Sequence, residues 1–119
     1  MRPLLLSIPL VACLLTAGCQ TPPSAKSAKT PSIAGTTWRG TEDRGEWFVC
    51  EFERSGRLHY NGPTGEFRNG TWRQTDAAVY METNKRYAEY FGTIDGSHMS
   101  GSAKNVVHKH WTWDVRKSK

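Results

Sequence analysis

Beyond residue 32 the sequence predicts an all-β domain, a small antiparallel up-and-down β-barrel of about eight strands. Three observations lead there. No stretch after that point keeps the apolar period of about 3.6 residues that a helix needs, whereas period-two alternation recurs throughout. Turn signals fall every ~8–12 residues, the spacing of a sandwich or a barrel. The links between alternating runs are short, which favours a meander of antiparallel neighbours over a Greek key. Closing such a sheet also removes its exposed edges.

The strands follow in order. Gly35-Thr36-Thr37-Trp38-Arg39-Gly40-Thr41 opens the first, and Gly70-Thr71-Trp72-Arg73-Gln74-Thr75 echoes it, as one strand opening used twice or as a trace of duplication. Phe48, Cys50 and Phe52 then share one face, with Val49, Glu51 and Glu53 on the other. After the Ser55-Gly56 turn, Leu58 and Tyr60 alternate with Arg57 and His59, and Asn61-Gly62-Pro63 stops the run because proline cannot continue a ladder. Phe67 starts the next run, in which Asn69-Gly70 marks a turn or a bulge before Trp72. Val79 and Met81 alternate with Tyr80 and Glu82, and Asn84-Lys85 ends them. A longer strand is expected from Arg86 to Ile94, then an Asp95-Gly96 hairpin leading to Met99, Gly101 and Ala103. The last strand is the cleanest, with Trp111, Trp113 and Val115 on one face and His110, Thr112, Asp114 and Arg116 on the other. Gly92, Gly96 and Gly101 fall where strands must bend or pass close to a neighbour.

The segment ahead of the barrel is different in kind. Residues 1–18 read as a secretory signal, with Arg2 as the positive start, Pro3 to Leu15 as an uncharged apolar core and Thr16-Ala17-Gly18 as small residues at the cleavage point. The run is shorter than the ~20 residues that cross a bilayer core of about 30 Å. Cys19 follows directly, and Leu15-Thr16-Ala17-Gly18-Cys19 resembles the lipobox of bacterial lipoproteins. Thr16 stands where a leucine is usual, with Leu15 one place further back. Cys13, after Leu10-Val11-Ala12, is a rival site that would leave an apolar core of only about eight residues.

The resemblance implies that Cys19 becomes the lipidated first residue, carrying a diacylglyceryl thioether and an N-acyl chain such as palmitate. Each buried methylene contributes about 0.8 kcal/mol, so three chains hold where one holds only marginally. Gln20, in place of an aspartate, implies sorting to the outer membrane and a lipid anchor on its periplasmic face. Residues 19–32 lack any apolar period and are rich in Pro, Ser, Thr, Ala and Lys, the composition of a flexible linker.

One domain, residues 33–119, remains. A chain of this size buries little surface unless large side chains fill it. All five tryptophans, four phenylalanines and four tyrosines lie there. Cys50 has no partner for a disulfide once Cys13 leaves with the signal and Cys19 is acylated, so it is expected as a small buried hydrophobe. Gly35 and Trp38 at the first strand, with Arg116 or Lys117 ending the last, are similar to the lipocalin and avidin-like calycin barrels. That resemblance implies a basic side chain packed across the tryptophan, tying the barrel's ends together.

Candidate sites are few. His108 and His110 are expected on one face of a strand, about 7 Å apart. With no Cys-x-x-Cys and only His59 and His98 elsewhere, no metal and no cofactor are expected. Glu51 and Glu53 fall on the solvent face, and no Gly-x-Ser-x-Gly, phosphate loop or His-Glu-x-x-His occurs, so a non-catalytic module is expected. The chain's formal net charge is +5, and Lys104, Lys109, Arg116, Lys117 and Lys119 crowd its end. Outside the cytoplasm the matching anions are lipopolysaccharide phosphates and peptidoglycan carboxylates, or an envelope protein, and not nucleic acid. Trp38, Tyr90, Trp111 and Trp113 are the candidates to line a space for a small apolar ligand. Inhibition of a lysozyme-type enzyme is a further expectation, by analogy with other basic β-domain lipoproteins.

The lipid anchor has a direct test. Cys19→Ala should abolish incorporation of labelled palmitate and shift the protein from the membrane to the soluble fraction, or leave it as uncleaved precursor. Full membrane retention of an unlabelled product would refute the anchor.

Overall fold

The structure, a computed structural model, describes residues 29–119. The expected signal 1–18, the acylated Cys19 and the linker as far as residue 28 lie outside the described residues. Eight strands succeed one another: β1 (Thr36–Glu42), β2 (Trp47–Phe52), β3 (Arg57–Gly62), β4 (Gly65–Thr75), β5 (Ala78–Thr83), β6 (Ala88–Asp95), β7 (His98–Asn105) and β8 (His110–Lys117). Each pairs antiparallel with the next and β8 returns to β1, so the up-and-down sheet closes on itself.

Alternation decides what fills it. Trp38 of β1, Phe48, Cys50 and Phe52 of β2, Leu58 and Tyr60 of β3, Val79 and Met81 of β5, Met99 and Ala103 of β7, and Trp113 and Val115 of β8 are all buried. Cys50 is a free, buried thiol whose Sγ lies 3.9 Å from Met81 Sδ, and burial raises its pKa, consistent with an inert packing role. The two echoed tryptophans both turn inward. Trp38 donates from Nε1 to Thr36 Oγ1 at 2.8 Å, and Trp72 meets Phe52 edge-on at 5.4 Å.

Closure depends on a missing side chain. Gly40 of β1 faces β8 so closely that an added Cβ would lie 1.8 Å from the Asp114 carbonyl oxygen. Across the barrel, a Cβ on Gly92 would meet the Trp113 ring at 2.5 Å, and one on its partner Gly101 the Phe91 carbonyl oxygen at 1.8 Å. Gly92 makes room for the indole of Trp113, whose Nε1 donates to the Ser102 carbonyl at 2.9 Å, while Gly101 allows β6 and β7 to approach closely.

Several local expectations shift. Asn69-Gly70 is no turn: Leu58 pairs with Gly70 while Tyr60 pairs with Phe67, so Arg68 and Asn69 form a bulge inside β4 opposite His59. The positive φ of the β3–β4 turn sits on Gly65 (137°), while Gly62 ends β3. β6 starts at Ala88 because Asn84, Lys85 and Arg86 all adopt positive φ, a left-handed turn that holds Tyr87 outside the ladder. His108 is likewise in a turn, with φ 65°, so it shares no strand face with His110. Arg116 and Lys117 are both exposed, whereas the Trp38 ring is buried. Lys117 is its register partner but points to solvent, and the barrel's ends are joined instead by Thr37 N–H to Lys119 O (2.9 Å) and Ser118 N–H to Thr37 O (2.8 Å).

The two ends of the barrel differ. At the end where the described chain begins, Ile33 is buried in the core and its N–H donates to Gln74 Oε1 at 3.0 Å. Gln74 Nε2 also donates to the Pro31 carbonyl at 3.0 Å, so the incoming segment is fastened across that end. The opposite end carries the β1–β2, β3–β4, β5–β6 and β7–β8 turns, and nothing comparable plugs it among the described residues.

Trp113→Ala should cost about 3–5 kcal/mol in urea or thermal unfolding, the range for emptying a large buried aromatic site. Trp111→Ala should cost clearly less, because that ring is only partly buried at the open end. Equal losses would contradict this placement of the last strand.

Candidate functional site

The open end holds a cavity of about 390 Å³, within the range of small-molecule sites. Its wall is a chain of rings, each from a different strand. Phe67 of β4 lies 6.2 Å from Tyr60 of β3, Tyr60 lies 6.2 Å from Tyr90 of β6, and Tyr90 meets Trp111 of β8 edge-on at 5.8 Å. Glu42 joins them from β1. It occupies the position after Trp38 and Gly40 on the inward face of its strand, where the pattern predicts an apolar residue.

The turns above fix these side chains through backbone hydrogen bonds. In the β1–β2 turn the Gly45 N–H donates to the Glu42 carbonyl at 2.7 Å and the Glu42 N–H to the Glu46 carbonyl at 2.9 Å, with Gly45 at φ 82°. Asp43 fastens that turn to β8, its N–H donating to Thr112 O at 2.9 Å. In the β7–β8 turn, Asn105 Oδ1 accepts from the N–H of Val107 (3.1 Å) and of Lys109 (3.0 Å), which sets the start of β8 and so Trp111. Glu82, buried on the outer face, accepts from Thr71 Oγ1 (2.8 Å) and the Arg86 N–H (2.7 Å) and so holds the left-handed β5–β6 turn beside the mouth.

Two polar groups in the cup lack strong partners. Tyr60 Oη–H donates to Glu42 Oε1 at 3.4 Å, a long bond, and no cation lies within ion-pair distance of Glu42 among the described residues. Burial lifts the Glu42 carboxyl above its ordinary value, the Glu46 and Asp43 charges add to this, and the Tyr60 hydrogen bond and Arg44 act against it. Burial is also the leading cause that raises the phenols of Tyr60 and Tyr90, which therefore stay neutral donors. The Trp111 indole Nε1–H is shielded from solvent and has no acceptor among the described residues.

The four aromatic candidates thus divide. Tyr90 and Trp111 line the cavity, whereas Trp113 packs beneath it against Phe48 (6.3 Å) and Trp38 lies in the core. Sequence reasoning missed Glu42, Tyr60 and Phe67. The signal was present in Glu42, a charged residue in phase with Trp38 and Gly40. The basic residues expected to form one patch are dispersed. Lys109 is at the cup, Lys104 lies over the Phe91 ring on the barrel wall, and Arg116 to Lys119 are at the opposite end.

The remaining candidates are held elsewhere. His59 sits on the outer face between Glu51 (Nδ1 to Oε2, 3.0 Å) and Glu66 (Nε2 to Oε2, 2.7 Å), and His98 pairs with Asp114. Among the described residues no group of three or more His, Cys, Asp or Glu side chains is placed to hold a metal ion.

No protein-family model and no curated protein matches this chain. Among solved structures it is similar to a putative beta-lactamase from Burkholderia vietnamiensis, at 19% identity and a TM-score of 0.53, over 76% of this chain and 97% of that one. At that identity the likeness shows the fold alone. The Ser-x-x-Lys motif of serine β-lactamases does not occur in the present sequence.

The raised Glu42 pKa gives a stability prediction. Between the ordinary value of 4.5 and the higher folded value, the native state binds more protons than the unfolded state, so stability falls as pH rises through that window. Glu42→Gln should therefore flatten the pH dependence measured by urea unfolding and raise stability at neutral pH. A variant less stable than the parent at neutral pH would show that the carboxylate has a stabilising partner.

Proposed function

We propose that this chain is a non-catalytic binding barrel, exported and lipid-anchored through Cys19 at the outer membrane, that holds a small organic ligand in the cup at its open end. The cup is the observation that carries the reading. Eight strands of six to eleven residues enclose enough rings to fill the barrel's waist, yet the open end keeps about 390 Å³ walled by Tyr60, Phe67, Tyr90 and Trp111. Aromatic walls with a few placed polar groups are the usual make-up of a small-molecule site. The described chain enters at the opposite end, through Ile33 and Gln74, so a tether from the membrane would leave the mouth facing away from it.

A wholly apolar ligand fits this site less well than an amphipathic one, because it would cut off from water the unpartnered Trp111 N–H and a Glu42 carboxyl held only by the long Tyr60 hydrogen bond. The polyanion reading has less support, since the basic side chains are spread over both ends and the wall and share no single surface.

Native mass spectrometry of the protein isolated from its own host should show a bound small molecule. The same species should be absent from Ala88→Leu, which narrows the cup, when circular dichroism shows that variant folded. Protein that is consistently empty, or a bound mass unaffected by filling the cup, would reject the site.

A further inference from the structure

We propose that the ligand of this cup is an organic ammonium ion, its cationic head against the Glu42 carboxyl and its carbon skeleton against Tyr60, Tyr90, Trp111 and Phe67. The proposal rests on the cup being a ligand site and adds the charge and chemical class of what enters it.

Three features favour a cation. The first is Glu42 itself. A carboxyl on the inward face of a barrel strand is costly, and here its protein partner is a single phenol at 3.4 Å. An arriving ammonium group supplies both the opposite charge and the N–H or polarised C–H donors that the carboxyl lacks.

The second feature is the wall. Four aromatic rings in a contiguous chain, with centroids 5.8–6.2 Å apart, surround the space that Glu42 borders. The face of each ring carries the negative part of its quadrupole, and ammonium groups are drawn to within about 6 Å of such faces, most strongly where water is excluded. Tyr60 and Tyr90 remain neutral phenols, so the wall offers that attraction without requiring further ionisation.

The third feature is the local charge. The chain as a whole is basic, with a formal net charge of +5, yet three carboxyl groups (Glu42, Asp43 and Glu46) gather at the cup against the basic side chains of Arg44 and Lys109. The opening thus carries more acidic than basic side chains in a protein that is basic as a whole, which favours a cation there. The unpartnered Trp111 N–H gives a place for an acceptor atom on the same ligand, such as a hydroxyl, ester or carboxyl oxygen.

A matched series of probes tests the assignment. Benzyltrimethylammonium, benzylamine, benzyl alcohol and benzoate share one ring and differ in the charge of the head. Titrated into the full chain at neutral pH, with calorimetry and tryptophan fluorescence as readouts, the two ammonium compounds should bind about tenfold more tightly than benzyl alcohol, and benzoate should bind worst. Glu42→Gln should remove the ammonium preference while leaving benzyl alcohol affinity within about twofold, because the ring wall is untouched. Equal binding of all four probes, or a preference for benzoate, would overturn the cation assignment and leave the cup as a ligand site. An ammonium preference that survives Glu42→Gln would remove Glu42 from the assignment and overturn it. No binding of any probe, together with empty native protein, would reject both the cation and the cup.

Discussion

The structure depends on β1 lying against β8 with no side chain between their backbones. Gly40 makes this possible, since any Cβ there would run into the Asp114 carbonyl. Once that contact forms, the ladder runs from Trp38 opposite Lys117 to Glu42 opposite Trp113, and every strand acquires two neighbours. With no free edge left, each strand has one face toward the axis, and the period-two pattern is converted into an interior and an exterior. The same register carries Glu42 to the inner rim, so closure and the polar character of the cup have one origin.

The interior is filled unevenly, which is why there is a cup at all. Trp38, Phe48, Phe52, Met81, Met99 and Trp113 crowd the core, and Gly92 is needed to seat the last of these. Ile33 folds in at one end under the hold of Gln74. At the other end the turns are fastened at the rim by Asn105, Glu82 and the Glu42–Glu46 backbone bonds, and a cavity remains that their residues border together with the strand rings. Tyr60, Phe67, Tyr90 and Trp111 therefore have a packed floor beneath them and open space above. Rings supported from below by a close-packed core are held in place, so that the proposed ligand would meet a wall already ordered and bind at a lower entropy cost.

A half-buried carboxyl in such a setting has a stability cost that an apolar residue would avoid. Proteins retain groups of this kind at functional sites, where a perturbed ionisation is useful when the partner binds. Glu42 is the strongest case in the described barrel because three things coincide on it: an inward strand position, a raised pKa and the absence of an ion-pair partner. His59 is the instructive contrast. It too is buried, but Glu51 and Glu66 already take both ring nitrogens, and its place on the outer wall is accounted for by that packing.

Much of this barrel was legible in the sequence. Strand number, antiparallel order, the inward rows Phe48-Cys50-Phe52 and Trp111-Trp113-Val115, the Asp95-Gly96 hairpin and the fate of Cys50 all follow from alternation and turn chemistry, which act over a few residues. The bulge at Arg68-Asn69 and the left-handed run Asn84-Lys85-Arg86 were only partly legible, because Glu82 and Thr71 hold the latter from strands that meet only in the fold. The cup was legible only in part, through Tyr90 and Trp111 among the expected lining residues and through Glu42 as a charged residue in phase with Trp38 and Gly40. Its rings come from β3, β4, β6 and β8 and its carboxyl from β1, and only closure brings them together. The sequence by itself determined which side chains face inward, since that is a matter of strand period. Tertiary structure alone decided which of them pack into a solid core and which border an opening, because that depends on the height each residue reaches along the barrel axis once the registers are locked.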